Sequence, residues 1–190
     1  EISEALVLLN SNCTNNITVL HCNTSYPTEM EEVNLKAMID IKKKFNVDVG
    51  YSDHTLGIEV PIAAVALGAT VIEKHFTISR NLSGPDHKAS LEPDELKKMI
   101  DAIRNTEEAC KGDGFKIPTK SELKNKIHVR KSIHLSKNVK KGDQLSEKNI
   151  IALRPGDGIN PMKIPNLIGK KFNKDLEMFS KIKMKDIDHD

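Results

Sequence analysis

The sequence predicts an α/β protein: parallel strand–helix units followed by a small β-rich module. Three observations carry that expectation. Short apolar runs alternate with helical stretches through the first 110 or so residues, joined by short connections, as in βαβ units wound right-handed. Two of those runs empty into polar loops that each carry a histidine, Gly50-Tyr51-Ser52-Asp53-His54-Thr55 and Glu73-Lys74-His75-Phe76-Thr77. Beyond Lys111 the character changes, with Gly112, Gly114 and Pro118 interrupting any helix.

Each element follows from its local pattern. Glu1 to Asn10 reads as an amphipathic helix, with Ile2, Ala5, Leu6 and Leu9 on one face. Ile17 to Leu20 is a strand ending in His21-Cys22-Asn23. A helix from about Glu31 to Phe45 turns Val33, Ala37, Met38 and Ile41 inward. A strand over 47–51 leads to a buried helix over 58–67, closed by Gly68, and a third strand covers 70–76. A long helix runs from Pro93 to Cys110, with Ser90 or Glu92 as its cap and Pro93 in its first turn. Three strands make half a barrel or sheet and leave an edge open. With no initiator Met and a helix at once, the sequence reads as the C-terminal fragment of something longer.

The expected division is 1–111 for the strand–helix part, 112–130 for an extended, solvated linker and 131–190 for the module. In the module, Ser132 to Leu135 alternates as a strand, Lys140-Lys141-Gly142-Asp143 turns, and Ser146 to Asn149 starts a short helix. A second strand, Ile150 to Leu153, leads into Arg154-Pro155-Gly156-Asp157-Gly158-Ile159. About sixty residues suffice for such a module to fold by itself, marginally.

Composition excludes some classes. A formal charge of +2 over 190 residues does not imply a nucleic-acid partner. No apolar run reaches membrane-spanning length and no signal-peptide pattern opens the chain. Cys13, Cys22 and Cys110 are odd in number and lack metal-type spacing, which reads as reduced thiols in a cytoplasmic protein. Three glycosylation sequons near the start are then compositional accidents.

The C-terminal ends of parallel strands are where α/β folds bind ligands. His54 or His75 alone reads as a core histidine satisfied by a backbone carbonyl. As a pair at equivalent strand ends they read as a divalent-metal site with open positions, and neutral imidazoles suit Mn²⁺, Fe²⁺ or Zn²⁺ better than Mg²⁺. Asp53 can cap its turn, and Glu73 can pair with Lys74 or another cation. Ser52, at a strand end, is a phosphate contact or a turn-stabilising hydroxyl. Tyr26 is a ligand contact or an aromatic lid. Asp86, in the loop Gly84-Pro85-Asp86-His87, accepts from sugar hydroxyls, holds a metal-bound water or simply makes a turn. Arg154, held before Pro155-Gly156, is a carboxylate or amide partner or a surface cation.

Taken together, His21-Cys22-Asn23-Thr24-Ser25-Tyr26-Pro27, Gly50 through Gly57, Glu73 through Thr77, Gly84 through His87 and Ala89-Ser90-Leu91-Glu92-Pro93 resemble the sialic acid synthase family. Arg154 through Ile159 and Leu167-Ile168-Gly169-Lys170-Lys171 are similar to that family's C-terminal antifreeze-like module. The resemblance implies an α/β fold consisting of the C-terminal portion of a TIM (β/α)₈ barrel, its last three strands, followed by the small β-rich antifreeze-like domain. It implies condensation of phosphoenolpyruvate with the open-chain aldehyde of an N-acylated hexosamine, giving a nine-carbon 2-keto acid and phosphate. On this likeness His54 and His75 hold a divalent metal, manganese first with magnesium or cobalt as alternatives, and act in catalysis with Asp86. Ser52 contacts phosphate, and Thr24, Tyr26 and Asp86 contact the amino sugar. Thr24 stands where some relatives have Asn. Arg154 reaches the active site of the other subunit to hold the N-acyl group, which implies a domain-swapped homodimer. The isolated fragment is expected to be inactive.

Two other classes fit parts of the pattern. A different metal-dependent barrel enzyme acting on phosphoenolpyruvate predicts the same histidines but leaves the module unexplained. A non-catalytic carbohydrate-binding protein explains the module but not the histidines. Within the family, N-acetylmannosamine and a diacetamido-trideoxyhexose are alternative acceptors, the latter giving legionaminate or pseudaminate.

Overall fold

The computed structural model describes residues 1–12 and 16–188. Cys13 lies outside the described residues. The chain forms two compact units, Glu1–Asp113 and Gly114–Asp190.

The first unit is a three-stranded parallel sheet in the order β1-β2-β3, made of β1 Thr18–Cys22, β2 Asp48–Asp53 and β3 Ile72–Lys74. The helices between the strands are α2 Lys36–Phe45 and α3 Glu59–Ala66. They follow α1 Ile2–Asn12 and precede α4 Pro93–Cys110. Helices alternate with strands because apolar residues recur at helical spacing on α2. Met38 and Ile41 of α2, with Val33 just before it, cluster with Val49 and Tyr51 of β2 and with Val60 and Ala64 of α3. A second cluster, Leu91, Met99 and Ile103, seats α4 against Ile58, Ile62 and Val65. Gly50 is required where it stands. A Cβ there would collide with the Leu20 side chain and the Val71 carbonyl, so only glycine lets the strands pair at this point.

Three expectations are corrected. The helix over 31–45 is a 3₁₀ turn, Met30–Glu32, followed by α2, because Asn34 sits in the left-handed region at φ 45° and breaks the run. The third strand is shorter than 70–76, but Phe76 bridges to Leu91 in parallel beyond its end. On α1 only Leu6 is buried, while Ile2 and Leu9 of the expected apolar face are exposed. By contrast α4 spans the predicted residues. Glu92 caps it with a reciprocal box to Glu95, and Pro93 occupies its first turn.

The second unit contains the antiparallel pair β4 Ser132–Leu135 and β5 Ile150–Leu153, with Ser132 opposite Leu153. Its core gathers Ile133, Leu135, Val139, Leu145, Ile159, Leu167, Phe172, Ile182 and Ile187. Here the expectation of an extended linker over 112–130 fails. Lys120–Val129 is a helix, α5, and it belongs to the second unit. Thr119 accepts from the Glu122 N–H while the Glu122 carboxylate accepts from the Thr119 N–H, a capping box. The Thr119 N–H and then Lys116 hold the Glu122 carboxyl down to about 2, so this cap is ionised throughout the neutral range. Ten helical residues cover roughly 15 Å, against roughly 33 Å for the same stretch extended.

The small net charge conceals an asymmetry. Residues 1–113 carry eleven Lys and Arg against eighteen Asp and Glu, whereas residues 114–190 carry eighteen against nine. Among the described residues no helix is long and apolar enough to cross a membrane.

Candidate active site at the strand ends

Strand register decides which side chains meet. Cys22 lies beside Ser52, Ser52 beside Glu73, and Asp53 beside Lys74. Alternation along a strand then sorts them onto two faces. Cys22, Ser52 and Glu73 share one face, and His54 and His75 continue it just past the strand ends. Asp53 and Lys74 lie on the face that carries Tyr51.

The two expected histidines do come together. Their ring centroids are 5.4 Å apart and nearly perpendicular. His54 is buried, and its Nδ1 lies 2.5 Å from the Asn23 carbonyl. A carbonyl only accepts, so Nδ1 carries a proton, and in the neutral ring Nε2 is the nitrogen with the lone pair. That is the arrangement by which outer partners orient imidazole ligands. Asn23 is itself tied down, its Nδ2 donating to the Glu32 carbonyl at 2.9 Å. The His75 carbonyl accepts from Leu91 N–H at 2.9 Å, which fixes the backbone of the second histidine. Tyr26 stacks on His54 at 3.9 Å and meets His75 edge-on at 5.2 Å, while remaining half-exposed. It therefore covers both rings from the solvent side.

The donor set fits a divalent first-row ion in part. Among the described residues no group of three or more His, Cys, Asp or Glu side chains is placed to hold a metal, so the chain offers a two-imidazole set. Such a set leaves positions for other ligands.

The remaining candidates are placed as follows. The Ser52 hydroxyl donates to Glu73 Oε1 at 2.6 Å, so its one proton is already engaged by a carboxylate. Thr24 is exposed in the loop after β1. Asp86 opens the 3₁₀ turn Asp86–Ala89 and is exposed, and its carboxylate has no partner among the described residues. That loop is anchored by Thr77 Oγ1 at 2.7 Å from His87 Nδ1 and by the Ser90 hydroxyl donating to the Asp86 carbonyl. Arg154 lies in the second unit, exposed, with Nε donating to the Val129 carbonyl at 3.0 Å.

Beneath the histidines lies a buried ion pair. Lys74 Nζ is 2.5 Å from Asp53 Oδ2, with side-chain exposures of 3% and 0%, and Nζ also donates to the Thr55 carbonyl. Asp53 Oδ1 accepts from Thr55 N–H, so the expected turn cap is present as well. The pairing of Glu73 with Lys74, one of the sequence-level alternatives, gives way to Lys74 with Asp53. Adjacent residues on a strand point to opposite faces. Next to this pair Tyr51 is buried, and burial, reinforced by the Asp53 charge, pushes its phenol up to about 12.

Sequence reasoning missed two neighbours of His54. Asn23 supplies the carbonyl that sets its tautomer. The Cys22 thiol lies 3.7 Å from Nδ1, although the spacing of the cysteines points to no site. The signal for both was the loop after β1, whose register against β2 places Cys22 beside Ser52.

The chain is similar to proteins already known. Over 172 residues the chain is 55% identical to an N,N'-diacetyllegionaminic acid synthase of Campylobacter jejuni, covering 90% of this chain and 51% of that protein. A pseudaminic acid synthase of Campylobacter jejuni is 45% identical over 167 residues, covering 88% and 48%. The crystal structure of an N-acetylneuraminic acid synthetase from Leptospira borgpetersenii, in complex with citrate, superimposes with a TM-score of 0.58. The identity there is 38%, over 65% of this chain and 43% of that one. The chain thus spans about half the length of the curated relatives it matches. The sequence profile of the NeuB family matches residues 1–116, well over half of the sequence, and the chain belongs to the NeuB family.

Proposed function

We propose that the chain contributes the metal-binding strand ends and the C-terminal module of a nonulosonate synthase. That enzyme joins phosphoenolpyruvate to an N-acylated hexosamine and releases phosphate. The observation that carries the reading is the imidazole pair at the ends of adjacent parallel strands, with His54 Nδ1 pinned to the Asn23 carbonyl. On this reading the three strands belong to the last part of a closed (β/α)₈ barrel, and the second unit is the antifreeze-like domain.

His54 Nε2 and the His75 ring would hold a divalent ion, manganese in the first instance with magnesium or cobalt as alternatives. When bound, the ion supplies Lewis acidity at the aldehyde oxygen of the sugar. C3 of phosphoenolpyruvate bonds to the aldehyde carbon, water adds at C2, and the bond from C2 to the phosphate oxygen breaks. Tyr26, stacked on His54 and edge-on to His75, shields the two imidazoles from bulk water. Asp86, solvent-open and partnerless among the described residues, is free to accept from a sugar hydroxyl. Ser52 serves phosphate once its hydroxyl turns from Glu73, and Glu73 thereby becomes an acceptor within the site. Thr24, on the loop that carries Tyr26, borders the sugar.

The relative at 55% identity favours a diacetamido-trideoxyhexose acceptor, hence a legionaminate-type product, over N-acetylmannosamine. Phosphate release by the full-length enzyme, measured with each sugar in turn, tests this. We expect release to require an N-acylated hexose and to be fastest with the diacetamido sugar. Release with neither sugar would end the synthase reading, and preference for N-acetylmannosamine would end the legionaminate one.

On this reading the enzyme is a homodimer in which Arg154 of one copy serves the strand ends of the other, and the opposite charges of the basic module and the acidic strand–helix unit are compatible with such pairing. Arg154→Ala should raise KM for the sugar and leave that for phosphoenolpyruvate nearly unchanged. Mixing Arg154→Ala and His54→Ala subunits should restore activity, because one site of the mixed dimer keeps both groups. A mixture that stays inactive although subunits exchange rules the swapped arrangement out.

A further inference from the structure

The Arg154 side chain and its loop are built onto the end of α5. An α-helix leaves its last four carbonyls without intrahelical partners. Two of those on α5 are taken by the Arg154 loop. Val129 O accepts from Arg154 Nε at 3.0 Å, and Ile127 O accepts from Gly156 N–H at 2.6 Å. The Ser132 hydroxyl, three residues past the helix, donates to the Pro155 carbonyl between them. The fit leaves no slack. A Cβ on Gly156 would lie 2.5 Å from Arg130 Cβ and 2.9 Å from the Arg130 carbonyl carbon, the residue that ends the helix.

Among the described residues no core packing accounts for α5. None of its residues is buried, so it does not serve the module's core. Leu123, Ile127 and Val129 are all more than half exposed. At ten residues it is shorter than a helix that persists in water without support. Its support is the capping box at Thr119 at one end and the Arg154 loop at the other. The relation is reciprocal. The loop completes the helix, and the helix dictates where the guanidinium stands. With Nε committed to Val129, the plane of the guanidinium is fixed and its four terminal N–H groups remain for a ligand.

We propose that α5 is a positioning element for Arg154, so that formation of this helix sets the affinity for the N-acylated sugar. The proposal rests on the role given to Arg154 above, and the two can fail separately. In the 190-residue chain, Thr119→Ala should unseat the helix and lower the hydrogen-exchange protection of the Gly156 amide by about fivefold, the equivalent of losing one N-cap. Thr119→Ser, which keeps the capping hydroxyl, should restore it. Unchanged Gly156 protection in Thr119→Ala would overturn the coupling without reference to activity.

In the full-length enzyme, Thr119→Ala should raise the sugar KM by about fivefold and Gly156→Ala by at least tenfold. Neither should alter KM for phosphoenolpyruvate or kcat, and Thr119→Ser should behave as wild type. Added to Arg154→Ala, neither change should have any further effect, since the group they position is gone. If Arg154→Ala leaves the sugar KM unchanged, the role of Arg154 is wrong. If Arg154→Ala raises it but Gly156→Ala and Thr119→Ala do not, the positioning role of α5 is wrong.

Discussion

Replacing His54 or His75 with alanine in the full-length enzyme should reduce both Mn²⁺ affinity and turnover by orders of magnitude. The proposed site draws two donors from this chain, so removing one would leave a single imidazole to hold the ion. The structure also ranks the two substitutions. His54 is held by the Asn23 carbonyl at 2.5 Å and lies against Tyr26 at 3.9 Å, whereas the His75 ring makes ring contacts only among the described residues. A pre-oriented ligand gives up less freedom on binding, so His54→Ala should cost more metal affinity than His75→Ala. Calorimetric titration of Mn²⁺ into each variant measures this without reference to the reaction. Wild-type turnover after exhaustive chelation, or Mn²⁺ affinity unaltered in both variants, would refute the metal site.

The histidine pair was legible because both residues sit at the same point of a repeated unit, one step past an apolar run. That information is local, and so is the end of α4, where Glu92, Pro93 and Glu95 state the start of the helix in four residues. Asn34 was not legible, because a residue that tolerates the left-handed region does not announce that it uses it. The α5 helix was half legible. Thr119-Lys120-Ser121-Glu122 spells a capping box, but Gly112, Gly114 and Pro118 just before it and the lack of an apolar stripe argued for a linker. What supports the helix, the Arg154 loop, lies some twenty-five residues away in sequence. The partners of His54 were hidden for the same reason. Cys22 and Asn23 reach it only through the register of β1 on β2, a non-local pairing that no window of sequence contains. The α/β class came from alternation of elements. Which carboxylate Lys74 meets came from alternation of side chains within a strand, and that needed the pairing of Asp53 with Lys74 to be known.

That buried pair should dominate the stability of the first unit. Asp53 and Lys74 are fully shielded from water, and their charges are compensated by each other and by Thr55, through its N–H and its carbonyl. Removing one partner leaves the other charged and buried near Tyr51. Breaking such a pair from one side costs about 3–5 kcal/mol. Lys74→Met should therefore move the urea midpoint of the chain sharply down, and Asp53→Leu should do the same. The double substitution should recover much of the loss, because no buried charge then remains. It should not recover all of it, since the Thr55 N–H and carbonyl stay unpaired. Metal affinity should fall with the single substitutions even in the fraction that remains folded. Asp53 precedes His54 and Lys74 precedes His75, so the ion pair clamps the backbone before both histidines from the opposite face of the sheet. A Lys74→Met chain with an unchanged urea midpoint would show that the pair carries no net weight in the fold. Full Mn²⁺ affinity in that variant of the enzyme would show that the histidines are held without it.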